Sequence, residues 1–481
     1  MNCRSRILVN TFLIIFSWST FAHAGDFVIT EFKAGSQKGR IALAHLTNKG
    51  VVTEFLDLNN TGVGKSIGFL IWREILTAIS DQAGAGVVIA HPPGETRIVD
   101  MLKANYHLAA VDIAKYQKSP MVLWGIAQEN TDKIFISTHL SLIPEIQASD
   151  LSLNVNIPKF DTPGWKAEIV RTRFNFGLVE SSRSKLFNRP IITKKRTPLK
   201  ANPQKEARTI QESEKGRLYQ AVDMGNEYFK VILKNGSPAY LNIWDVDVPP
   251  KYVEADRTTI RLRSGPGTNH EVKRNVQSFR GSFQVLDMRY SSQHGLWYQI
   301  SFDGDPVWVA GFLVRPRFSL PAVHFMAGLY RFRAQNFDDA LREFQMFATF
   351  QKVEETNTSL ATAYQLIGAS SLMSKNIPPS FGLQAFSKAI ELTPYDPSAY
   401  NLRAISKVDR HFSNHGRMDG ILRDLNQALM LDRTNHRALD LLHRFGVFIE
   451  RSSGGMAPIF FDLRSDTIEK YHQIKTRYRP R

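Results

Sequence analysis

Between Ile41 and Leu142 the apolar positions change period several times, and each change marks an element. IALAHL and VVTEFLDL alternate as half-buried strands do. After Asn60-Thr61, a helix-start pair, Ile67, Leu70, Ile71 and Ile75 recur at helical spacing within IGFLIWREILTAI. GVVIAH predicts another strand, and the Pro92-Pro93-Gly94 turn precedes a helix from about Glu95 to Tyr116. MVLWGIAQEN and DKIFISTHLSLI predict a hairpin-like strand pair around Asn130-Thr131-Asp132. The sum is an α/β sandwich. Farther on, AEIVRTRFNFGLV is compatible with strand or helix, and the periodicity does not choose.

A second pattern is an internal duplication. Residues 197–241 (TPLKANP, EKGRLYQ, YFKVILKNGSPAYL) return in modified form at 259–309 (TIRLRSGP, FRGSFQV, LWYQISFDGDPVWV). Leu199 aligns with Leu262, Lys200 with Arg263, Pro203 with Pro266, Gly216 with Gly281 and Tyr228 with Trp297. Gly236 and Pro238 align with Gly304 and Pro306. The joint between the copies, VDVPPKYV, is stiffened by its paired prolines. Over 259–313 the strings IRLRSGPGTNHEV, GSFQVL, LWYQIS and VWVAGFLV resemble bacterial SH3-type domains, which implies two small β-barrels. Where the second copy has Gly265 the first has Asn202, the residue that best replaces a glycine of positive φ.

Beyond Pro321 the pattern is helical and again periodic. Gly328 precedes Ala340, Phe344 and Phe347 by 12, 16 and 19 residues, and Gly368 precedes Phe386 and Ala389 with two residues more. Tyr400 and Ala404 open a third copy that reaches Leu425, Ala428 and Asp432, with an insertion around His411–Gly416. These spacings, and AFSKAIELTPYDPSAYNLRA above all, resemble tetratricopeptide repeats, paired helices that stack into a groove. A capping helix is expected from about Asn435 to Ile449.

Over about a hundred residues between Ile41 and Leu142, an early strand, a turn with Gly62 and Gly64, the helix carrying Ile67, Leu70, Ile71 and Ile75, a strand, an Ala-rich helix and the Trp124-Gly125 strand resemble, in their order, periplasmic α/β domains of the TolB/FlgO/CsgG type. The expected fold class is therefore multidomain α+β, with an N-terminal α/β sandwich, two SH3-like β-barrels and C-terminal tetratricopeptide-like repeats. Expected boundaries are a signal peptide at 1–24, the α/β domain at 25–180, β modules at 186–248 and 249–316, helical repeats at 320–449 and a basic tail at 450–481.

Composition narrows the setting. MNCRSR, an apolar run from Ile7 to Phe21 and Ala22-His23-Ala24 follow the order of a cleaved secretory signal, which predicts export to the periplasm or beyond with cleavage after Ala24. Cys3 is the single cysteine and leaves with the signal, so no disulfide is expected. The net charge is +16, falling to about +14 once Arg4 and Arg6 are removed, which favours anionic surfaces. The chain carries no later apolar span, so an integral membrane protein is not expected, and export makes nucleic acid a remote partner.

Chemistry-bearing strings are few. Gly64-Lys65-Ser66-Ile67-Gly68 fits G-x-S-x-G, and Gly64-Lys65-Ser66 fits the end of a phosphate-binding loop, but Asn59 stands where that loop needs glycine. A helix start is the preferred reading. Thirteen dispersed histidines offer no metal-ligand spacing, so no metal or cofactor is expected. Arg263, Trp297, Tyr298 and Trp308 are candidates for gripping a sugar polymer or peptide, with core packing as the alternative for the aromatics. Tyr364, Asn401 and Arg403 are candidates for a partner-binding groove. Lys185, Arg189, Lys194, Lys195, Arg196, Lys200 and Lys205 form a basic run, either a steering surface for anionic polymer or a solvated face.

Together these features predict an exported non-enzymatic adaptor of the cell envelope. Its expected partners are an envelope protein and peptidoglycan or another anionic envelope polymer. Two alternatives stay open: a serine hydrolase with Ser66 as nucleophile, and an accessory of a secretion or motility assembly.

Overall fold

A computed structural model describes residues 28–33, 48–91 apart from 81 and 83, 106–143 apart from 132, residue 146, 152–155, 165–168, 171–291, 295–351, 357–407 and 416–442. The expected signal segment, the strand at 41–46, the helix start at Glu95, the insertion ahead of Gly416 and the tail from 450 lie outside these residues. The chain has both helices and several sheets, with an uninterrupted run of helices toward its C-terminal end. It divides into two compact units: Met1–Ile146 with Asn175–Met326, and Gln147–Phe174 with Ala327–Arg481. Both β modules fall in the same unit as the α/β part.

The α/β part of the first unit contains β1 (Val28–Lys33), β2 (Asn48–Thr53), β3 (Leu56–Asp57), helix α1 (Val63–Ala78), β4 (Ala85–His91), helix α2 (Tyr106–Tyr116), β5 (Met121–Glu129) and β6 (Ile134–Leu142). Next in the chain come β7 (Ser152–Val155) and β8 (Trp165–Glu168), an antiparallel pair of the second unit. Strand β9 (Arg173–Ser181) then returns to the edge of the first sheet, whose order is β1-β4-β2-β5-β6-β9. Here the ambiguous stretch resolves as strand: Phe174 and Phe176 are buried while Arg173 and Asn175 are exposed, a period of two. β4 and β5 flank β2 in parallel, so the chain leaves β2 in one direction and comes back past it. Valines and alanines fill this parallel centre because it is covered on both faces. Val51, Val88, Ala90 and Val122 lie under α2, and the alternation turns Val52, Ile89 and Leu123 toward α1.

The short helix α3 (Arg183–Phe187), capped by Ser182, leads into the first β module. That module comprises β10 (Arg189–Thr193), β11 (Thr197–Lys200), β12 (Thr209–Ser213), β13 (Leu218–Gly225), β14 (Tyr228–Ile232), β15 (Pro238–Asn242), a 3-10 turn at Ile243–Asp245 and β16 (Val246–Asp247). In the second module, β17 (Tyr252–Arg263) does the work of β10 and β11, and β18 (Val272–Ser291) that of β12 and β13. There follow β19 (Gly295–Phe302), β20 (Asp305–Ala310), a 3-10 turn at Gly311–Leu313 and β21 (Arg315–Arg317). β17 pairs with β18, β20 and β21, which closes the sheet on itself.

The duplication holds at the level of single residue pairs. Lys200 opposes Tyr240 in the first copy and Arg263 opposes Trp308 in the second. Leu199 and Leu262 are both fully buried. Gly216 and Gly281 both have positive φ, as do Gly236 and Gly304. Gly265 does not adopt positive φ; a Cβ there would strike the His270 ring, so close packing explains this glycine.

In the second unit, α4 (Pro321–Arg333), α5 (Phe337–Phe350), α6 (Asn357–Met373), α7 (Pro379–Leu392), α8 (Pro397–Lys407) and α9 (Gly416–Leu431) form three successive hairpins. α4 begins in the first unit and ends in the second. One contact recurs. A Cβ on Gly328 would sit 2.6 Å from the Phe344 ring, and one on Gly368 equally close to Phe386. In the third hairpin Ala404 is fully buried. Of the expected capping helix, residues 436–442 are described and helical.

Candidate functional site

The glycine-flanked serine stands at the start of α1, built into the fold rather than presented to solvent. Gly62 caps the helix at φ 80°, a conformation glycine adopts without strain. Val63 N donates to Thr61 Oγ1, and Gly64 N donates to Asp57 Oδ2, both at 3.4 Å. Asp57 and Thr61 therefore satisfy the amides that a bound phosphate would use. The Asn60-Thr61 start pair is corrected to this extent: Thr61 and Asp57 supply the oxygens and Gly62 the cap. Ser66 is completely buried, and its hydroxyl donates to the carbonyls of Gly62 and Asn226, each at 3.2 Å. Neither carbonyl is a general base, and the contacts of Ser66 are those of the helix start that the sequence pattern favours. Gly64 and Gly68 are present because α1 lies on the backbone of residues 53–55. A Cβ at Gly68 would come within 2.9 Å of Thr53 O.

At the C-terminal end of β2, beside the β2–β5 switch in chain direction, several polar groups lie close together. Glu54 sits there with its Oε2 buried and unpartnered. Tyr106 donates to the Glu54 carbonyl oxygen, and its hydroxyl lies 3.2 Å from Thr53 Oγ1. Beyond it, Trp124 stacks on His139 at 4.3 Å, and His139 Nε2 lies 3.0 Å from Ser137 Oγ. Burial raises the Glu54 carboxyl to about 7, with Lys65 opposing and Asp57 reinforcing. Burial, then His107, lowers His139. The folded protein thus keeps a proton on Glu54 between pH 4.5 and about 7 that the unfolded chain releases, so stability falls as pH rises through that window. Glu54→Gln is expected to stabilise the protein by up to about 3 kcal/mol above the window and to change little below it, read by urea unfolding at several pH values.

The β-module candidates are occupied internally. Trp297, Tyr298 and Trp308 are 3 %, 1 % and 6 % exposed. Tyr298 joins the core of the second module with Leu262, Ile300 and Val307, while Trp297 and Trp308 pack with Ala310. Their binding role is corrected to packing, because a ring inside a core has no face left for a sugar or peptide. Arg263 donates from Nη1 to the carbonyls of Thr268 (2.9 Å) and His270 (2.6 Å), holding the turn between β17 and β18. The structure does not bring the four together as an open site.

The groove candidates are likewise ties between helices. Asn401 is buried and donates to Asn435 Oδ1 at 3.2 Å. Tyr364, half-buried, packs against Ala361, Ala389 and Ala399. Arg403 donates to both oxygens of buried Asp424 (2.6 and 3.0 Å), which also accepts from Lys407 at 2.7 Å. The groove assignment of Asn401 and Arg403 is therefore corrected to interhelix bonding. Replacing Asp424 with alanine leaves two cations facing each other without an anion. The expected loss is about 2–4 kcal/mol in the helical unit, measured by denaturant unfolding.

No protein-family profile and no curated protein matches the chain. Among solved structures it is similar to two crystal structures of MamA. The first is 15 % identical, with 32 % of this chain and 77 % of that one covered at a TM-score of 0.24; the second is 16 % identical, with 34 % and 78 % covered at the same score. NlpC2 from Trichomonas vaginalis is 13 % identical over 28 % of this chain and 49 % of its own, at a TM-score of 0.15. Among the described residues, no helix is long and apolar enough to cross a membrane, and no cluster of three or more His, Cys, Asp or Glu could hold a metal ion.

What the sequence reading missed is the seam between α1 and the first β module. Trp244, on the 3-10 turn, packs on Trp72 (4.6 Å) and edge-on to Phe69 (5.4 Å). Arg73 donates to Val246 O and to Asp247 Oδ1. Burial, then Arg73, pushes Lys194 down to about 7. Deeper still, Glu74 and Arg189 pair at 2.9 Å, and Ser319 donates to Glu74 from both N and Oγ. The available signal was the charged pair Arg73-Glu74 inside the apolar run FLIWREIL. Three members of the basic run have partners of different kinds: Arg189 pairs with Glu74 in the interior, Lys195 with Asp245 at the surface, and Lys200 donates to Ala207 O.

Proposed function

We propose that this chain is an exported, non-enzymatic adaptor of the bacterial envelope. Its two β modules act as SH3-like docking barrels and its helical hairpins as a tetratricopeptide-like surface for an envelope protein. The observation that carries this reading is that the first module already docks: its 3-10 turn holds Trp244 against the aromatic face of a helix. A fold that repeats the module and follows it with stacked hairpins multiplies contact surfaces. The one serine with a catalytic motif is buried and bonded to carbonyls, which favours holding over reacting.

Exposed Tyr395, 83 % accessible between α7 and α8, is a suitable place for a photo-crosslinking residue in intact cells. Discrete adducts that persist in a Ser66→Ala chain are expected. Labelling by a fluorophosphonate probe that disappears in Ser66→Ala would overturn the adaptor reading in favour of a hydrolase.

A further inference from the structure

The two β modules share a 3-10 turn before their last strand, and the turns align residue for residue: Ile243-Trp244-Asp245 with Gly311-Phe312-Leu313. In the first copy the central aromatic is half-buried, with its ring packed on Phe69 and Trp72 of α1. In the second, Phe312 is 74 % exposed. A lone exposed ring is ordinary on a protein surface, but here the duplicate shows what such a turn carries when it is covered. We propose that the Phe312 turn is a docking site for an amphipathic helix of a separate protein, seated as α1 is seated on Trp244. This deepens the adaptor reading and rests on it.

The internal complex specifies the visitor's chemistry. α1 presents Phe69 and Trp72, one turn apart, to Trp244, and the residue after Trp72, Arg73, reaches Val246 O and Asp247. At the matching places the second copy has Val314 and Arg315. The carbonyl is retained while the charge is reversed. Arg257 adds a second cation beside the turn, where its guanidinium donates to Phe312 O at 3.5 Å. A helix that fits therefore carries two apolar or aromatic residues three apart, followed by a carboxylate in place of Arg73. This reversal also keeps the two sites from exchanging occupants, since Arg73 of α1 would meet Arg315 if it docked on the wrong module.

The test uses the full chain without residues 1–24 and two fluorescein-labelled peptides of residues 63–78, one native and one carrying Arg73→Glu. Fluorescence anisotropy is expected to show saturable binding of the Arg73→Glu peptide, weakened about tenfold or more by Phe312→Ala. An Arg315→Asp chain is expected to reverse the preference toward the native peptide. Phe312→Ala removes an exposed ring, so an unchanged thermal melt serves as the folding control. Absence of saturable binding, equal binding by the Phe312→Ala chain, or Phe312-dependent sedimentation with phosphatidylglycerol vesicles in place of peptide binding would each overturn the inference. Adducts at position 395 in cells alongside failed peptide binding would leave the adaptor reading standing and remove this site alone.

Discussion

Replacing Glu74 with alanine is expected to lower the unfolding free energy of the first unit by about 3–5 kcal/mol, with Arg189→Met alone in the same range. Both side chains are essentially without solvent contact. Glu74 accepts from Arg189 Nη1 at 2.9 Å and from Ser319 N and Oγ at 3.0 and 2.6 Å, while Arg189 Nη2 reaches Ser319 Oγ at 2.8 Å. One carboxylate thus ties α1, the first strand of the first β module and the segment that follows the second module. Removing either partner strands a buried charge that water cannot reach. The double variant Glu74→Leu/Arg189→Met removes both charges, and its loss should fall well short of the sum of the single losses. A double-mutant cycle by urea unfolding measures the difference. Additive losses would show that the pair contributes through packing alone.

Gly64→Ala is expected to cost about 3 kcal/mol or more, against about 1 kcal/mol for Ser66→Ala two residues later. A Cβ at position 64 would fall inside contact distance of the Phe55 carbonyl and 3.0 Å from the Asp57 Cβ. The obstacle is backbone of the neighbouring chain segment, which cannot rotate aside as a side chain would. Relief requires α1 to lift from β2–β3, and the same helix carries Trp72, Arg73 and Glu74 to the β module. Loss of the seam should therefore accompany loss of the helix packing, seen as exposure of Trp72 and Trp244 in the fluorescence spectrum of Gly64→Ala. Ser66→Ala removes only a hydroxyl shared between two carbonyls, and the spectrum should be unchanged.

The contrast between those two positions separates what local pattern can reveal from what it cannot. Helical spacing in IGFLIWREILTAI located α1, and the alternation in MVLWGIAQEN and DKIFISTHLSLI located β5 and β6 with their turn. The alignment of Lys200 with Arg263 and of Gly236 with Gly304 anticipated equivalent strand pairs and turns in the two modules. Gly328 and Gly368 anticipated the recurring contact with Phe344 and Phe386. In each case the information lies within one element or in a comparison of two similar stretches.

The candidate sites were less legible. Trp297 and Trp308 read as core ahead of ligand-facing residues and Arg263 and Tyr298 as balanced between the two, because strand alternation says that a side chain points to one face without saying which face is covered. Arg403 looked like a groove residue from its place on the first helix of a hairpin, yet Asp424 on the second helix claims it. The exposed aromatic with the clearest counterpart, Phe312, carries no local signal, because its significance depends on where Trp244 goes.

Sequence by itself determined the elements, their repetition and the composition of their buried faces, since backbone periodicity and side-chain polarity act over a few residues. Only the tertiary structure decided the partners: Glu74 with Arg189 and Ser319, Arg73 with Asp247, and Ser66 with Asn226. Those groups lie more than a hundred residues apart, and no local energy connects them before the chain has closed. Once it has, desolvation makes each buried charge or hydroxyl depend on the one neighbour within hydrogen-bond reach.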